Sequence, residues 1–332
     1  MEKMQKSDYI KAAASILAIL VIILVLRAVK MNISDNTKSN KNNFSSEDNI
    51  ITNKDGSVSV ALMGNVLIGK KIRNSYNLQG LSGFMSDEVS SVIKGSDIAI
   101  MNQTFSLSGE DEENYSISSD SLNILQDMGI GIVSLANKYF RQYGISDASN
   151  ISSRLNDFNI KSSGAGSDAN TAGEAAYLTY NNKTIGFLSV MKVSDNTADG
   201  IAVNSNGHVY PVKGIYGESS TDDICDAIEK AKGKCDFLIV NISWENSKNK
   251  VTKTMKSDAK SFINAGADLI AGCSDKALDV EYYKDKPILY GTGNFLINGN
   301  PASTNIYEVT ISKTNKCKLK VHEYKSSAFY IS

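Results

Sequence analysis

Residues Ala265–Ile297 read AGADLIAGCSDKALDVEYYKDKPILYGTGNFLI. The stretch opens at the C-terminal end of an amphipathic segment and enters a short apolar strand, Asp268–Ala271. A polar turn follows at Gly272–Lys276, then Tyr282-Tyr283 and a turn at Lys284-Asp285-Lys286-Pro287. A second apolar strand, Ile288–Tyr290, runs into Gly291-Thr292-Gly293-Asn294-Phe295. Two strands of buried character, each ending in a glycine-containing polar turn, place both turns on one edge of a sheet. In open α/β sheets that carboxyl edge is where ligands bind.

Working outward, the same unit of strand, polar turn and helix recurs from Ser57 onward. Strands are expected at Val58–Met63, Asp97–Met101, Gly131–Ala136 and Cys235–Ile242, each followed by a polar turn. Helices are expected around Phe84–Ile93, Ser121–Met128, Ile145–Phe158, Asp222–Lys232 and Thr252–Ala265. The Asp222–Lys232 segment starts acidic and ends basic, as the helix dipole favours. Ala175–Tyr180 and Thr184–Val190, joined by Asn181-Asn182, read as a hairpin. Gly164–Gly173 reads as a loop and Ser194–Gly217 as irregular, while Tyr307–Ser312 and Cys317–Tyr324 read as a closing pair of strands. This alternation argues for an α/β sandwich with a mixed sheet and a shared cleft at the sheet edge.

The chain has 332 residues, enough to bury a sizeable core, and a formal charge of −1 gives no global field for nucleic acid. Ala12–Leu26 is uninterrupted apolar sequence; with its flanks it approaches the roughly 20 residues needed to cross a bilayer. Lys11 and Arg27 are placed to snorkel from the ends. A cleaved signal peptide would also show a basic start and an apolar run, but Arg27-Ala28-Val29-Lys30 offers no small-residue cleavage site. The expectation is one N-terminal transmembrane helix, a signal anchor over 12–29, with 1–11 cytoplasmic. Residues 30–56, rich in Asn, Ser and charge, read as a flexible stalk, and 57–330 as the extracytoplasmic domain. The four cysteines at 225, 235, 273 and 317 lack metal-ligand spacing; their pairing stays open, with a free thiol expected for most.

Read together, the turns resemble those of the CapA family of bacterial capsule (poly-γ-glutamate) synthesis proteins, whose fold is similar to that of calcineurin-like metallophosphoesterases. That family's pattern runs Gly-Asp, Asn-x-Glu, Ser-Leu-Ala-Asn-Asn-His, His-Trp-Gly, Gly-Ala-Asp with Gly-His-His-Pro-His, and Tyr-Ser-x-Gly-Asn-Phe. This chain offers Gly64-Asn65, Asn102-Gln103-Thr104, Ser134-Leu135-Ala136-Asn137-Lys138-Tyr139 and Ser243-Trp244-Glu245. It continues with Gly266-Ala267-Asp268, Gly272-Cys273-Ser274-Asp275-Lys276 and Tyr290-Gly291-Thr292-Gly293-Asn294-Phe295. Order and spacing agree across Ser57–Ile297, which implies a metallophosphatase-type α/β sandwich and a role in capsule assembly.

The departures matter as much. Asn65, Thr104, Tyr139, Ser243 and Cys273-Ser274-Asp275-Lys276 stand where the pattern would offer a divalent metal its carboxylates and imidazoles. A hydrolytic metal needs deprotonated nitrogen, oxygen or sulfur donors that converge, and amides and hydroxyls replace them poorly. Neither of the two histidines, His208 and His322, occupies a motif position. The expectation is therefore no catalytic residue, no metal and no cofactor. A vestigial binding cleft is expected from Asn65, Asn102, Asn137, Lys138, Ser243, Trp244, Cys273, Ser274, Asp275, Lys276 and Asn294.

Each residue also has a plainer reading. Loop asparagines cap turns, Trp244 packs as core, and Asp111-Glu112-Glu113 form a solvated loop. Lys138 and Lys276 are either solvated lysines or a pocket for a carboxylate polymer. The resemblance implies a membrane-anchored, non-catalytic binding or scaffolding subunit whose partners are the membrane, an anionic capsule polymer and capsule-synthesis membrane subunits. Two alternatives stand beside it. One is an active metal-dependent hydrolase with a site remodelled from Asp275, Glu245, Cys273 or His208; the other is a surface anion-binding receptor.

Overall fold

The computed structural model describes residues 56–107, 121–144, 147–193, 201–202, 204–205, 208–209, 214–218, 220–244, 250–297, 302–327 and 330–331. The chain divides into two units, Met1–Ile50 and Ile51–Ser332, and all described residues belong to the second. The expected anchor and nearly all of the expected stalk lie outside the described residues, as do Asp111-Glu112-Glu113 and Glu245. No helix among the described residues is long and apolar enough to cross a membrane.

The first half alternates strands and helices. It comprises β1 (Val58–Val66), α1 (Lys70–Gln79), α2 (Asp87–Lys94), β2 (Ile98–Gln103), α3 (Leu122–Met128), β3 (Ile130–Ser134), α4 (Ile151–Asn156) and β4 (Lys161–Ser163). The middle holds β5 (Ala165–Gly166), α5 (Ala169–Ala172), β6 (Ala176–Tyr180), β7 (Lys183–Lys192), β8 (Ile201–Ala202), β9 (Asn204–Ser205), β10 (His208–Val209) and β11 (Gly214–Glu218). Then come α6 (Thr221–Lys232), β12 (Phe237–Trp244), α7 (Lys253–Asn264), β13 (Leu269–Cys273), β14 (Val280–Tyr283) and β15 (Lys286–Leu289). The chain closes with β16 (Asn294–Leu296), β17 (Ala302–Ile311), β18 (Cys317–Ser327) and β19 (Tyr330–Ile331).

These strands form two large mixed sheets, where the sequence reading expected one, and β9 pairs with β10 in a separate two-stranded antiparallel sheet. Sheet I runs β19-β18-β17-β1-β2-β3-β4 with β16 added beside β1, and sheet II runs β14-β15-β13-β12-β7-β11-β5 with β6 and β8 added. Side chains alternate across a strand, and this alternation explains the two layers. In β1, Val58, Val60 and Leu62 face the other sheet, while Ala61 and Met63 face helices. In β12, Phe237 and Ile239 face inward, and Leu238, Val240 and Ile242 meet α6 and α7. A strand buried on both faces reads as a largely apolar run, as in Val60–Met63 of β1, Ile98–Met101 of β2, Ile185–Leu188 of β7 and Phe237–Val240 of β12. The result is a four-layer sandwich, helix on sheet on sheet on helix.

Local chemistry sets the helices. Ser86, Ser220 and Thr252 cap α2, α6 and α7 by accepting from the backbone N–H three residues on. Helix α6 buries Ile224, Ile228 and Ala231 on one stripe. Helix α1, KKIRNSYNLQ, buries only Ile72, so no apolar stripe announced it. The helix expected over Ile145–Phe158 shrinks to α4, preceded by a π-helical turn at Phe140–Gly144. There Asp147 instead ties the loop, accepting from the Leu107 N–H and pairing with Arg154 at 3.3 Å. The Asn181-Asn182 hairpin is present, both residues having positive φ of 50° and 59°, as a tight two-residue turn requires. The expected loops Gly164–Gly173 and Ser194–Gly217 instead contain β5 with α5, and the short strands β8 to β11.

The chain crosses between the sheets at glycines. Residue Gly164, at φ +106°, separates β4 of sheet I from β5 of sheet II; a Cβ there would lie 2.6 Å from the Ala136 nitrogen. The second crossing corrects the expectation that both turns of Ala265–Ile297 sit on one sheet. After β15 of sheet II, Gly291-Thr292-Gly293 carries the chain to β16, which pairs in parallel with β1 of sheet I. Gly293 has φ +79°, and its carbonyl oxygen lies 1.8 Å from where a Cβ on Gly64 would sit.

At the amino edge, the Asn181 amide donates to the Ser57 carbonyl at 2.7 Å and the Lys183 ammonium to the Lys313 carbonyl at 3.3 Å. Asp268 pins β13. Its carboxylate meets Lys232 at 2.7 Å and Lys286 at 3.0 Å and accepts from the Leu238 N–H at 2.8 Å. Removing one partner of a buried charge group leaves the others uncompensated. Asp268→Ala is expected to destabilise the fold by about 3 kcal/mol, read as a lower urea midpoint at unchanged m-value.

Candidate functional site

The inter-sheet core is apolar through most of its depth and turns polar at the carboxyl ends of the strands. Along each strand the inward position two residues on becomes polar: Ile100 then Asn102, Ile132 then Ser134, Phe187 then Ser189, Ile239 then Asn241, Ala271 then Cys273. Asn65 joins them from the end of β1. All are buried.

Buried polar groups must find partners, and here they find one another. The Ala136 N–H donates to the Ser189 hydroxyl at 3.2 Å, and the Ser189 and Ser134 hydroxyls lie 2.8 Å apart. The Ser134 hydroxyl donates to Asn241 Oδ1 at 2.8 Å, and the Asn241 amide to Asn102 Oδ1 at 3.1 Å. The Asn102 amide donates to Asn65 Oδ1 at 3.4 Å. Asn65 then donates to Asn294 Oδ1 at 2.8 Å and to the Ser274 carbonyl at 3.0 Å. Its own Oδ1 also accepts from the Cys273 thiol at 3.2 Å. The chain of donors runs in one direction and zigzags between sheets: Ser189 and Asn241 from sheet II, Ser134, Asn102 and Asn65 from sheet I.

Of the residues singled out from sequence, Asn65, Asn102, Cys273, Ser274 and Asn294 meet in this chain, and Ser243 lies beside Cys273. Ser134, Ser189 and Asn241 were missed as site residues. The signal that finds them is a polar residue at an inward position of an otherwise apolar strand. Asn137 stands apart: it donates to the Gln103 carbonyl at 2.9 Å and accepts from the N–H groups of Tyr139 and Phe140 at 3.1 and 3.0 Å. It caps the turn that follows. Trp244 faces the opposite side of sheet II, donating to the Tyr290 carbonyl at 3.2 Å and stacking on Phe262. Of the two histidines, His208 opens β10, and His322 on β18 meets Glu308 at 2.6 Å.

The donor set does not fit a hydrolytic divalent cation. The amide oxygens of Asn65, Asn102 and Asn241 already accept hydrogen bonds, and amide N–H groups cannot ligate. Burial pushes the Cys273 thiol up to about 12, with Asp275 adding to the shift while Lys138 and a Ser243 hydrogen bond oppose it. The Cys273 thiol donates to Asn65 Oδ1, so its hydrogen is engaged within the chain. Among the described residues no three His, Cys, Asp or Glu side chains converge as a metal site.

Above the buried chain, at the surface, the two sheets meet again through charge. Asp275, in the turn after β13, receives the Lys138 ammonium on Oδ2 at 2.7 Å and the Tyr139 hydroxyl on Oδ1 at 2.7 Å. The Lys138 ammonium also lies 4.8 Å from the centre of the Tyr139 ring. The side chains of Lys138 and Asp275 are 54% and 32% exposed, so the pair contributes at most about 1 kcal/mol. Lys276, next along the turn, is exposed.

Residues 59–299 match the model of the bacterial capsule synthesis protein family PGA_cap. The chain belongs to that family. PGA_cap membership agrees with the order of motifs from Gly64-Asn65 to Asn294-Phe295. The chain is 24% identical to the capsule biosynthesis protein CapA of Bacillus anthracis over 259 residues, 73% of this chain and 60% of that one. It is 25% identical over 184 residues to the probable polyglutamine synthesis accessory protein of Mycobacterium tuberculosis, 54% of this chain and 48% of that one. The match thus spans between about half and three fifths of these relatives' length. Among solved structures, a Staphylococcus aureus protein assigned as a 5′-nucleotidase, in complex with alpha-ketoglutarate, aligns at a TM-score of 0.45 and 13% identity, covering 83% of this chain and 55% of that one.

Two outcomes follow from the buried chain. Asn102→Ala strands the Asn241 amide without its acceptor and removes a donor to Asn65, which is expected to lower stability by about 2–4 kcal/mol in urea unfolding. In a native thiol titration at pH 8, Cys273 is expected to stay unmodified until the protein is denatured, because its pKa of about 12 leaves almost no thiolate there.

Proposed function

We propose that this PGA_cap protein is a non-catalytic binding or scaffolding subunit of capsule or poly-γ-glutamate assembly at the cell surface, anchored by residues 12–29. Family membership and the names of its relatives support the capsule role. The apolar run at Ala12–Leu26, followed by the polar stretch to residue 56, supports the anchor and the stalk.

The observation that carries the non-catalytic reading is the self-satisfied hydrogen-bonded chain at the carboxyl ends of both sheets. Hydrolysis by this scaffold would need a group that brings an attacking water near neutral pKa. The positions at that edge hold amides, hydroxyls and a buried thiol that donates to Asn65, and each of the three buried asparagines in the chain is engaged by its neighbours. Asp275, the carboxylate closest to the chain in sequence, has both oxygens occupied by Lys138 and Tyr139. What the edge offers a partner is its exposed surface, where Lys138, Lys276 and Tyr139 suit an anionic polymer of carboxylates. Capsule-synthesis membrane subunits are the expected protein partners. A net charge of −1 argues against a nucleic-acid role.

The test is metal content and phosphodiester turnover of the purified full chain, grown with manganese and zinc. Substoichiometric metal, no turnover above the buffer blank and a melting temperature unmoved by chelator are expected. Stoichiometric metal with chelator-sensitive turnover would falsify the non-catalytic reading and favour a remodelled hydrolase site.

A further inference from the structure

We infer that Lys138 and Tyr139 form a carboxylate receptor that Asp275 occupies as an internal ligand, and that the carboxylates of an acidic polymer displace it. The inference rests on the capsule-polymer reading above and names where on this chain the polymer docks.

The geometry is that of a bound carboxylate. One dipeptide supplies both donors, the ammonium to Oδ2 and the phenol to Oδ1, each at 2.7 Å. Charge-assisted bonds to both oxygens are how proteins recognise a carboxylate rather than a point anion. The receptor is also built independently of its occupant. The Lys138 ammonium rests on the Tyr139 ring at 4.8 Å, which favours its position when Asp275 leaves. Asn137 fixes the start of the same turn by accepting from the Tyr139 and Phe140 N–H groups.

The occupant, by contrast, is loosely held. Asp275 lies in a turn between β13 and β14 on the other sheet, and the pair is open to solvent on the lysine side. An exposed ion pair is worth little, so moving Asp275 off Lys138 costs little. A polymer has the further advantage that its many carboxylates raise the local concentration of competitor. Lys276, adjacent to Asp275 and exposed, provides a second cation for a neighbouring carboxylate on the same polymer. A neutral polymer has nothing to offer either lysine.

The buried chain beneath explains why binding stays at the surface. Asn65 holds the Ser274 carbonyl at 3.0 Å, and the Ser274 hydroxyl donates to the Lys276 carbonyl at 2.6 Å. The backbone of the turn is thus fixed from below, and only the Asp275 side chain has to leave its two partners. Displacement needs a change of rotamer, with no opening of the sheets.

The experiment is isothermal titration of the purified full chain with a γ-linked glutamate decamer at low and at physiological salt. Asp275→Asn removes the internal charge and is expected to tighten binding about fivefold, the gain from freeing a partly occupied site. Asp275→Ala serves as a second variant, so that an amide lingering on Lys138 does not mask the effect. Lys138→Met is expected to weaken binding at least tenfold and to reduce its salt dependence. Thermal melts of all three variants within a few degrees of the parent confirm that folding is intact. If the parent binds the decamer and none of the variants changes its affinity, the polymer docks elsewhere and the receptor is refuted while the capsule-polymer reading stands. If neither the parent nor Asp275→Asn binds the decamer, both fail. Inorganic phosphate competing as well as the decamer at equal charge would overturn the assignment to carboxylates.

Discussion

Two sheets packed face to face need one kind of core, and this protein has two. Through most of the sandwich the shared face is aliphatic and aromatic, and the hydrophobic effect holds it without direction. At the carboxyl ends, buried amides and hydroxyls take over, and each would cost stability if it lacked a partner. The structure meets that requirement for Ser189, Ser134, Asn241, Asn102 and Asn65 with one directional chain of hydrogen bonds that starts at the Ala136 N–H, while the buried Gln103 Oε1 at the end of β2 lies outside it without a partner among the described residues. Its members alternate between the sheets, so satisfying them fixes the sheets' relative register as well as their distance. Such a network is cooperative, because each bond polarises the next.

Other features follow from that constraint. The chain crosses from one sheet to the other at Gly164 and at Gly291–Gly293, both beside the polar end, where backbones approach too closely for a Cβ. The second crossing makes Ala265–Ile297 the organising stretch: it begins on sheet II, supplies Cys273 and Ser274 to the chain, and delivers Asn294 to sheet I. The opposite end is held by Asn181 and Lys183, so the sandwich is tied at both edges. Above this closed end, turns from the two sheets meet where Lys138 and Tyr139 bind the Asp275 carboxylate.

Family membership and site chemistry rest on different residues, and the difference is physical. Motif order reflects the fold: glycines at crossings, asparagines at strand ends, Asp268 under two lysines. These residues are needed to build the sandwich whatever it does. Function depends on the atoms presented at the edge, and there the described residues join amides, hydroxyls and a buried thiol in one hydrogen-bonded chain.

The amino-acid sequence alone determined the alternation of strands and helices, the hairpin at Asn181-Asn182, most strand centres and the family. Those follow from short-range rules: apolar runs, caps and turn chemistry act within a few residues. It also made Asn65, Cys273 and Asp275 conspicuous, because each departs from a recognisable motif, and Asn102, because it keeps one. Only the tertiary structure decided that there are two sheets, that Gly291–Gly293 passes between them, and that α1 forms on a segment with a single buried residue. It alone separated Asn137 and Trp244, a turn cap and a packing residue, from the asparagines that join the chain, and added Ser134, Ser189 and Asn241. The partners involved lie far apart in sequence, Asn65 from Ser274 by 209 residues and Asn102 from Asn241 by 139. No local pattern encodes such a pairing, since it arises when two separately formed sheets bury their polar ends against each other.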